Sequence, residues 1–195
     1  MLHKCIAVTR IDSFYSNSGI KHGIYGLVFS FAADTSKNRT KLNIKKIYLV
    51  RHGQTDLNFK GVVQGSGVDS SLNAKGRAQA EDFYQAFKSV PFDKVYISRL
   101  KRTEESVKRF LDSGLPCEKL SELNEISWGV REGRPVDAEG NAYYQQMLKS
   151  WRAGKTDVGI EGGESPDEVA MRMKRGLEGI MSRSEESTVL ICMHG

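Results

Sequence analysis

From residue 46 onward, short apolar runs alternate with stretches of helical period. Ile47-Tyr48-Leu49-Val50, Val95-Tyr96-Ile97 and Val189-Leu190-Ile191-Cys192-Met193 are β-favouring runs followed by polar turn residues, and they predict three buried strands. Between them the period becomes 3.6. Ala80, Phe83, Tyr84 and Phe87 fall at i, i+3, i+4 and i+7 behind Asn73, a good helix cap, and Pro91 closes the segment. Leu100, Thr103, Val107, Phe110 and Leu111 form a second stripe that stops at Gly114. The sharpest start signal is Ser165-Pro166-Asp167-Glu168, with a capping Ser, Pro at the first helical position and Glu three residues after the cap. Val169, Met173, Leu177 and Ile180 then supply that helix's buried face. Strands separated by helices need crossover connections, which predicts an α/β fold, a three-layer sandwich around a mostly parallel central sheet.

Residues 1–45 carry no clear period, and the Asn, Ser, Gly and Lys content after Ala33 reads as linker. Their apolar stretch, Gly23 to Ala33, is too short to span a bilayer. With Lys21 before it and Ser30 and Ala32 near its end it is a poor signal-peptide pattern, and its late position and polar lead speak against targeting. We therefore expect a basic, disordered extension over residues 1–45 and a single domain over 46–195, large enough to bury a core without disulfides or metal.

The net charge of +5 first suggests an acidic partner. Residues 1–46 hold eight Lys or Arg against two Asp, however, and the other 149 residues hold 21 basic and 22 acidic side chains. The globular part thus lacks the charge excess of a nucleic-acid binder, and any positive site in it depends on a few placed arginines. Cys5, Cys117 and Cys192 form no paired framework, which suits a reducing, cytoplasmic setting. No His, Cys or Asp cluster has metal-ligand spacing and no P-loop is present, so neither metal nor nucleotide cofactor is implied. His3 and His22, in the extension, receive no role.

Candidate chemistry gathers at strand tips. Arg51-His52-Gly53 ends the first run and His194-Gly195 ends the last, placing two imidazoles at the carboxyl edge of the sheet, where open α/β folds keep their ligands. A lone histidine is more often a satisfied core residue. Here His52 follows an arginine and precedes a glycine that lets backbone approach a ligand. Phosphoryl transfer needs a nucleophile, charge-neutralising donors and an acid for the leaving oxygen, and Arg51 and Arg102 suit the second task. Arg99 and Lys101 read as a solvated face, and Cys192 as a buried core thiol. A cysteine-based phosphatase is weaker, since no arginine stands six positions after Cys5 or Cys117.

The ordered set Leu49-Val50-Arg51-His52-Gly53-Gln54-Thr55-x-x-Asn58, Gln64-Gly65, Leu72-Asn73-x-x-Gly76, Ser98-x-Leu100-x-Arg102-Thr103, Leu123-x-Glu125-x-x-x-Gly129, Gly163-Glu164-Ser165 and His194-Gly195 resembles the histidine phosphatase superfamily, also called phosphoglycerate-mutase-like, from residue 46 to the end. The resemblance implies that His52 attacks phosphorus and becomes a phosphohistidine. It makes Glu125 the proton donor to the leaving group, and Arg51, Asn58, Arg102 and His194 the phosphate pocket. Gln64, Gly65 and Gly195 join the binding set, with Gln54 and Thr55 as lesser candidates. Glu122 and Glu132 read as exposed charges, and Glu164 as a structural group at a turn and helix cap.

Within this resemblance, mutases carry Tyr where Trp128 stands, Lys where Val136 stands, and a longer segment before the second histidine, which here follows the first by 142 positions. The departures imply a phosphomonoesterase acting on small phosphorylated metabolites, with segment 126–163 setting specificity; a mutase needs extra basic residues for a second anion, and Ala138 to Gly163 offers only Lys149, Arg152 and Lys155, which suit a helix surface equally well. Phosphoglycerate mutase is the first alternative. The other is an inactive fragment or phosphate-binding module, because the resemblance implies a further helix and strand after His194, making the fold C-terminally incomplete. A monomer or homodimer with no nucleic-acid or membrane partner completes the expectation.

Overall fold

The computed structural model describes residues 26–33 and 43–195; what was expected of Cys5, His3, His22 and the linker after Ala33 lies outside them. The element order is β1 (Gly26–Ala33), β2 (Asn43–Arg51), α1 (Asp56–Lys60), α2 (Ala74–Phe87), β3 (Lys94–Ile97), α3 (Lys101–Asp112), β4 (Cys117–Lys119), α4 (Ala138–Arg152), α5 (Pro166–Met181) and β5 (Thr188–Met193). The five strands form one sheet in the order β1-β2-β5-β3-β4. Strands β2, β5, β3 and β4 run parallel, and β1 lies antiparallel on the outer edge of β2.

Alternation along the strands sorts the core into two faces, as period-2 geometry requires. Val50, Val95, Ile97, Leu190 and Cys192 pack with Val107 and Phe110 of α3 and with Phe83, Tyr84 and Phe87 of α2. The intervening residues Ile47, Tyr96, Val189, Ile191 and Met193 meet Ile180, Leu177 and Met173 of α5 on the other side. Sheet between helices is the three-layer sandwich anticipated. Asn73 caps α2 through Gly76 N, and Ser165 and Glu168 close the α5 capping box in both directions.

Two boundaries differ from expectation. Residues 1–45 are not wholly extension: Gly26–Ala33 pairs with β2 from Val50 back to Asn43, and β2 begins before residue 46. The physical reason is the exposed edge that β2 would otherwise present, whose backbone donors and acceptors the Gly26–Ala33 strand takes up. The short strand β4 also went unforeseen, because Cys117-Glu118-Lys119 has no apolar run to announce it.

The parallel strands end together, and their register decides what meets there. Arg51 pairs with Met193, and Cys192 lies between Val50 and Ile97, so His52, His194 and Ser98 emerge at the carboxyl edge of three adjacent strands. The amino ends hold a separate buried network, in which Tyr96 Oη donates to Glu186 at 2.6 Å and Lys45 Nζ caps the carbonyls of Ile180 and Arg183. No helix among the described residues is long and apolar enough to cross a membrane.

Candidate active site

His52 continues the ladder past β2, its N–H donating to Met193 O at 3.1 Å. Its ring is buried, and Nδ1 lies 2.8 Å from Gly53 O. A carbonyl can only accept, so Nδ1 carries the proton and Nε2 keeps its lone pair. Burial pushes the His52 pKa down to about 3, helped by the charges of Arg102 and Arg51 and opposed by the Gly53 bond. The ring is therefore neutral, with its proton on Nδ1 and a free lone pair on Nε2.

His194 faces it, with ring centroids 5.1 Å apart and planes tilted by 57°. Its Nε2 is hydrogen-bonded to Ser98 Oγ at 2.9 Å, while the buried Nδ1 has no hydrogen-bond partner and stands 3.9 Å from Glu125 Oε2. Burial, and then the charge of Arg102, lower its pKa to about 2.

Arg102 sits in the first turn of α3 and is fully buried. Its Nη1 and Nη2 donate to Val68 O at 2.8 Å and Gly65 O at 3.3 Å, and its Nε has no partner. Burial lowers its pKa, with the charge of Glu125 acting against that. A guanidinium still holds its proton, so a buried positive charge with an orphaned donor stands beside two neutral imidazoles. An anion completes such a group; burying the charge without one costs several kcal/mol.

Arg51, His52, Asn58, Gln64, Arg102, Glu125 and Gly195 line one cavity of about 330 Å³. Asn58 Oδ1 accepts from Thr55 N and Oγ1, which leaves its Nδ2 hydrogens for the cavity. Glu125 has its pKa raised, burial outweighing the Ile126 N–H bond and the arginine charges that lower it. A carboxyl shifted in this direction keeps its proton to higher pH than a free one, as a proton donor must.

Other expected binders have different work. Gln64 borders the cavity, but its Nε2 donates to Thr55 Oγ1 at 2.6 Å and its Oε1 accepts from Ser70. Gly65 acts through its carbonyl, on Arg102, and is not part of the cavity wall. Thr55 caps α1, and Gln54 faces α2, accepting from Asn73 Nδ2 at 3.0 Å. Gly53 approaches backbone rather than ligand: a Cβ there would come within 2.7 Å of Gly76 O, and a Cβ on Gly76 within 2.1 Å of Gln54 O. The two glycines let the His52 turn and α2 touch.

Glu132 is a correction of a different kind. It is half-buried and accepts from Trp128 N at 2.9 Å, beside Gly65 and Gly67, where a Cβ would collide with its carboxylate. Glu164 is structural as anticipated, but its partner was missed. Arg172 of α5 donates to Glu164 through Nε at 2.7 Å and Nη2 at 2.9 Å, and to the carbonyls of Glu122, Asn124 and Glu125 at 2.8, 2.8 and 3.1 Å. Ser127 N also donates to Glu164. One ion pair thus holds the loop that carries Glu125. Ser106, also unforeseen, accepts from Gly53 N at 2.9 Å and donates to Arg102 O. Among the described residues no cluster of His, Cys, Asp and Glu could hold a metal ion.

The family model for the histidine phosphatase superfamily (branch 1) matches residues 47–195. The protein of Erwinia tasmaniensis named "probable phosphoglycerate mutase GpmB" is 33% identical over 154 residues, 77% of this chain and 69% of that protein. Among solved structures, the α-ribazole phosphatase of Shigella flexneri superposes with a TM-score of 0.63 at 27% identity, over 76% of this chain and 73% of that one. A mycobacterial glucosyl-3-phosphoglycerate phosphatase does so with a TM-score of 0.66 at 25% identity, over 75% and 74%.

Proposed function

We propose that this chain, which belongs to the histidine phosphatase superfamily, hydrolyses small phosphomonoesters through a phosphohistidine on His52. The observation that carries this reading is the pair of buried imidazoles beside the buried Arg102, whose Nε has no hydrogen-bond partner. The phosphoryl group lies among Arg51, Arg102, Asn58 and His194, whose donors offset charge on its oxygens. The lone pair of His52 Nε2 attacks phosphorus and the bond to the alcohol oxygen breaks. Glu125 gives its proton to that oxygen, and the Gly53 carbonyl supports the positive charge the ring gains. Water then attacks the phosphohistidine, passing a proton to the Glu125 carboxylate; the P–N bond breaks, and inorganic phosphate leaves with His52 neutral again.

The relatives named as mutases make phosphate shuffling the second reading. A mutase must hold a second anion, yet Lys149, Arg152 and Lys155 are exposed and do not line the cavity, and Arg131, which does, lies 3.9 Å from Asp137. Val136, at the position where the resemblance puts a mutase lysine, does line it. Hydrolysis is therefore the reading supported. Incubation with a panel of phosphomonoesters including 3-phosphoglycerate should release inorganic phosphate, and radiolabelled phosphate should be retained on the wild-type chain but not on His52→Ala. Formation of 2-phosphoglycerate without phosphate release, or full activity in His52→Ala, would overturn it.

A further inference from the structure

The cavity has two unlike walls. One holds His52, Arg51, Arg102 and Glu125. The other is built from Val63, Trp128, Val136, Tyr144 and Ile160, from the loop after α1, the segment before α4, α4 itself and the loop before α5. The backbone joins these pieces: Val63 N donates to Arg134 O at 2.9 Å and Val136 N to Gly61 O at 2.8 Å. Trp128 is held by its neighbours, its ring 5.7 Å from Tyr144 at 61° and 6.2 Å from Trp151 at 29°, with Trp151 Nε1 tied to Val158 O at 2.8 Å. A preset aromatic surface of this sort binds a flat apolar group without first having to order itself.

The charge on that wall points the same way. Arg131 is its basic residue, but Asp137 Oδ1 lies 3.9 Å away and the guanidinium is packed against Gly140, where a Cβ would come within 1.8 Å of Nη2. Packed so, it is poorly placed to capture a second carboxylate or phosphate. The volume of about 330 Å³ falls at the lower end of pockets that hold compact organic ligands.

Resting on the phosphatase reading, we propose that this wall binds the alcohol half of the ester and selects a flat, apolar or aromatic alcohol over a small anionic one such as glycerate. The test compares 2-phenylethyl phosphate, ethyl phosphate and 3-phosphoglycerate. All three are primary alkyl esters, so differences in leaving-group chemistry stay small. The wild-type chain should favour 2-phenylethyl over ethyl phosphate in kcat/KM by roughly 10- to 100-fold, from burial of the ring. It should place 3-phosphoglycerate below 2-phenylethyl phosphate. Trp128→Ala and, at the cavity rim, Tyr144→Ala should each shrink the phenylethyl-to-ethyl ratio by about fivefold or more. His52-dependent turnover that prefers 3-phosphoglycerate, or a ratio unmoved in both variants, would overturn the inference while leaving the phosphatase reading intact. Release of phosphate from none of the three would refute that reading, and the inference with it.

Discussion

Arg172 never approaches the cavity, yet its replacement should damage catalysis in a recognisable way. Its guanidinium makes five hydrogen bonds, two to Glu164 and three to carbonyls of the segment that carries Glu125, and its side chain is 12% exposed against 26% for Glu164. Arg172→Gln removes the cation and leaves a largely buried carboxylate without its partner. A fully buried pair broken on one side loses about 3–5 kcal/mol; with Glu164 a quarter exposed, about 2–3 kcal/mol is the better figure. A urea titration measures it.

The catalytic effect follows from the loosened loop. A misplaced Glu125 delivers its proton less well, and that matters only where the leaving oxygen needs one. For 2-phenylethyl phosphate we expect kcat/KM to fall by about 10- to 100-fold, within the usual worth of a general acid. For 4-nitrophenyl phosphate, whose phenolate leaves unaided, the loss should be less than about threefold. The ratio kcat/KM is the quantity to compare, because it reports phosphorylation of His52 and excludes the later hydrolysis. Equal losses for the two substrates would refute the positioning role and leave Arg172 as a stability element alone. Arg172→Lys, which cannot span five acceptors, should behave like Gln in the leaving-group comparison.

Three further outcomes follow from the same geometry. Since Glu125 must be protonated to act as acid, kcat/KM for alkyl esters should decline as pH rises through its raised value, and Glu125→Gln should remove that limb together with about 10²–10⁴ of the rate; a limb that survives in the variant refutes the assignment. His52 and His194 have folded-state pKa values of about 3 and 2, below the 6.5 of the unfolded chain, so their contribution to stability is complete above about 6.5 and lost as pH falls toward 3. The urea midpoint should accordingly drop between about pH 7.5 and about pH 5, and less steeply in His52→Ala; identical slopes would count against buried neutral rings. Gly76→Ala places a methyl 2.1 Å from Gln54 O, a backbone atom, and should cost about 3 kcal/mol while displacing the turn after His52; wild-type stability and turnover in that variant would exclude the close packing.

What could be read along the chain was whatever a short period or a strand tip encodes. Two apolar runs that each lead into a histidine put His52 and His194 at the carboxyl edge of the sheet on sequence alone. Their adjacency needed the further fact that β5 inserts between β2 and β3. Loop chemistry was less legible. Glu125 was known only through resemblance, because the contacts that hold its loop span 47 to 50 positions and leave no periodic trace. Gly53 was read as making room for a ligand, when the group it admits is the backbone of Gly76.

The missed arginine did leave a signal. Counting only apolar residues, the buried face of α5 is Val169, Met173, Leu177 and Ile180, and Arg172 passes as solvent-facing. Yet Arg172 stands three positions after Val169 and four before the buried Gly176, inside the stripe. Arg102 stands in the same relation to Ser106, also buried, on α3. A cation within an apolar helical stripe has to be met by acceptors or an anion, because burial without one costs more than the stripe can return. In this chain the two cases divide by partner. Arg172 finds a carboxylate and three carbonyls and becomes part of the framework, whereas Arg102 finds two carbonyls and keeps an orphaned Nε. The incomplete one is at the cavity, which is where the proposed hydrolysis needs an unsatisfied cation.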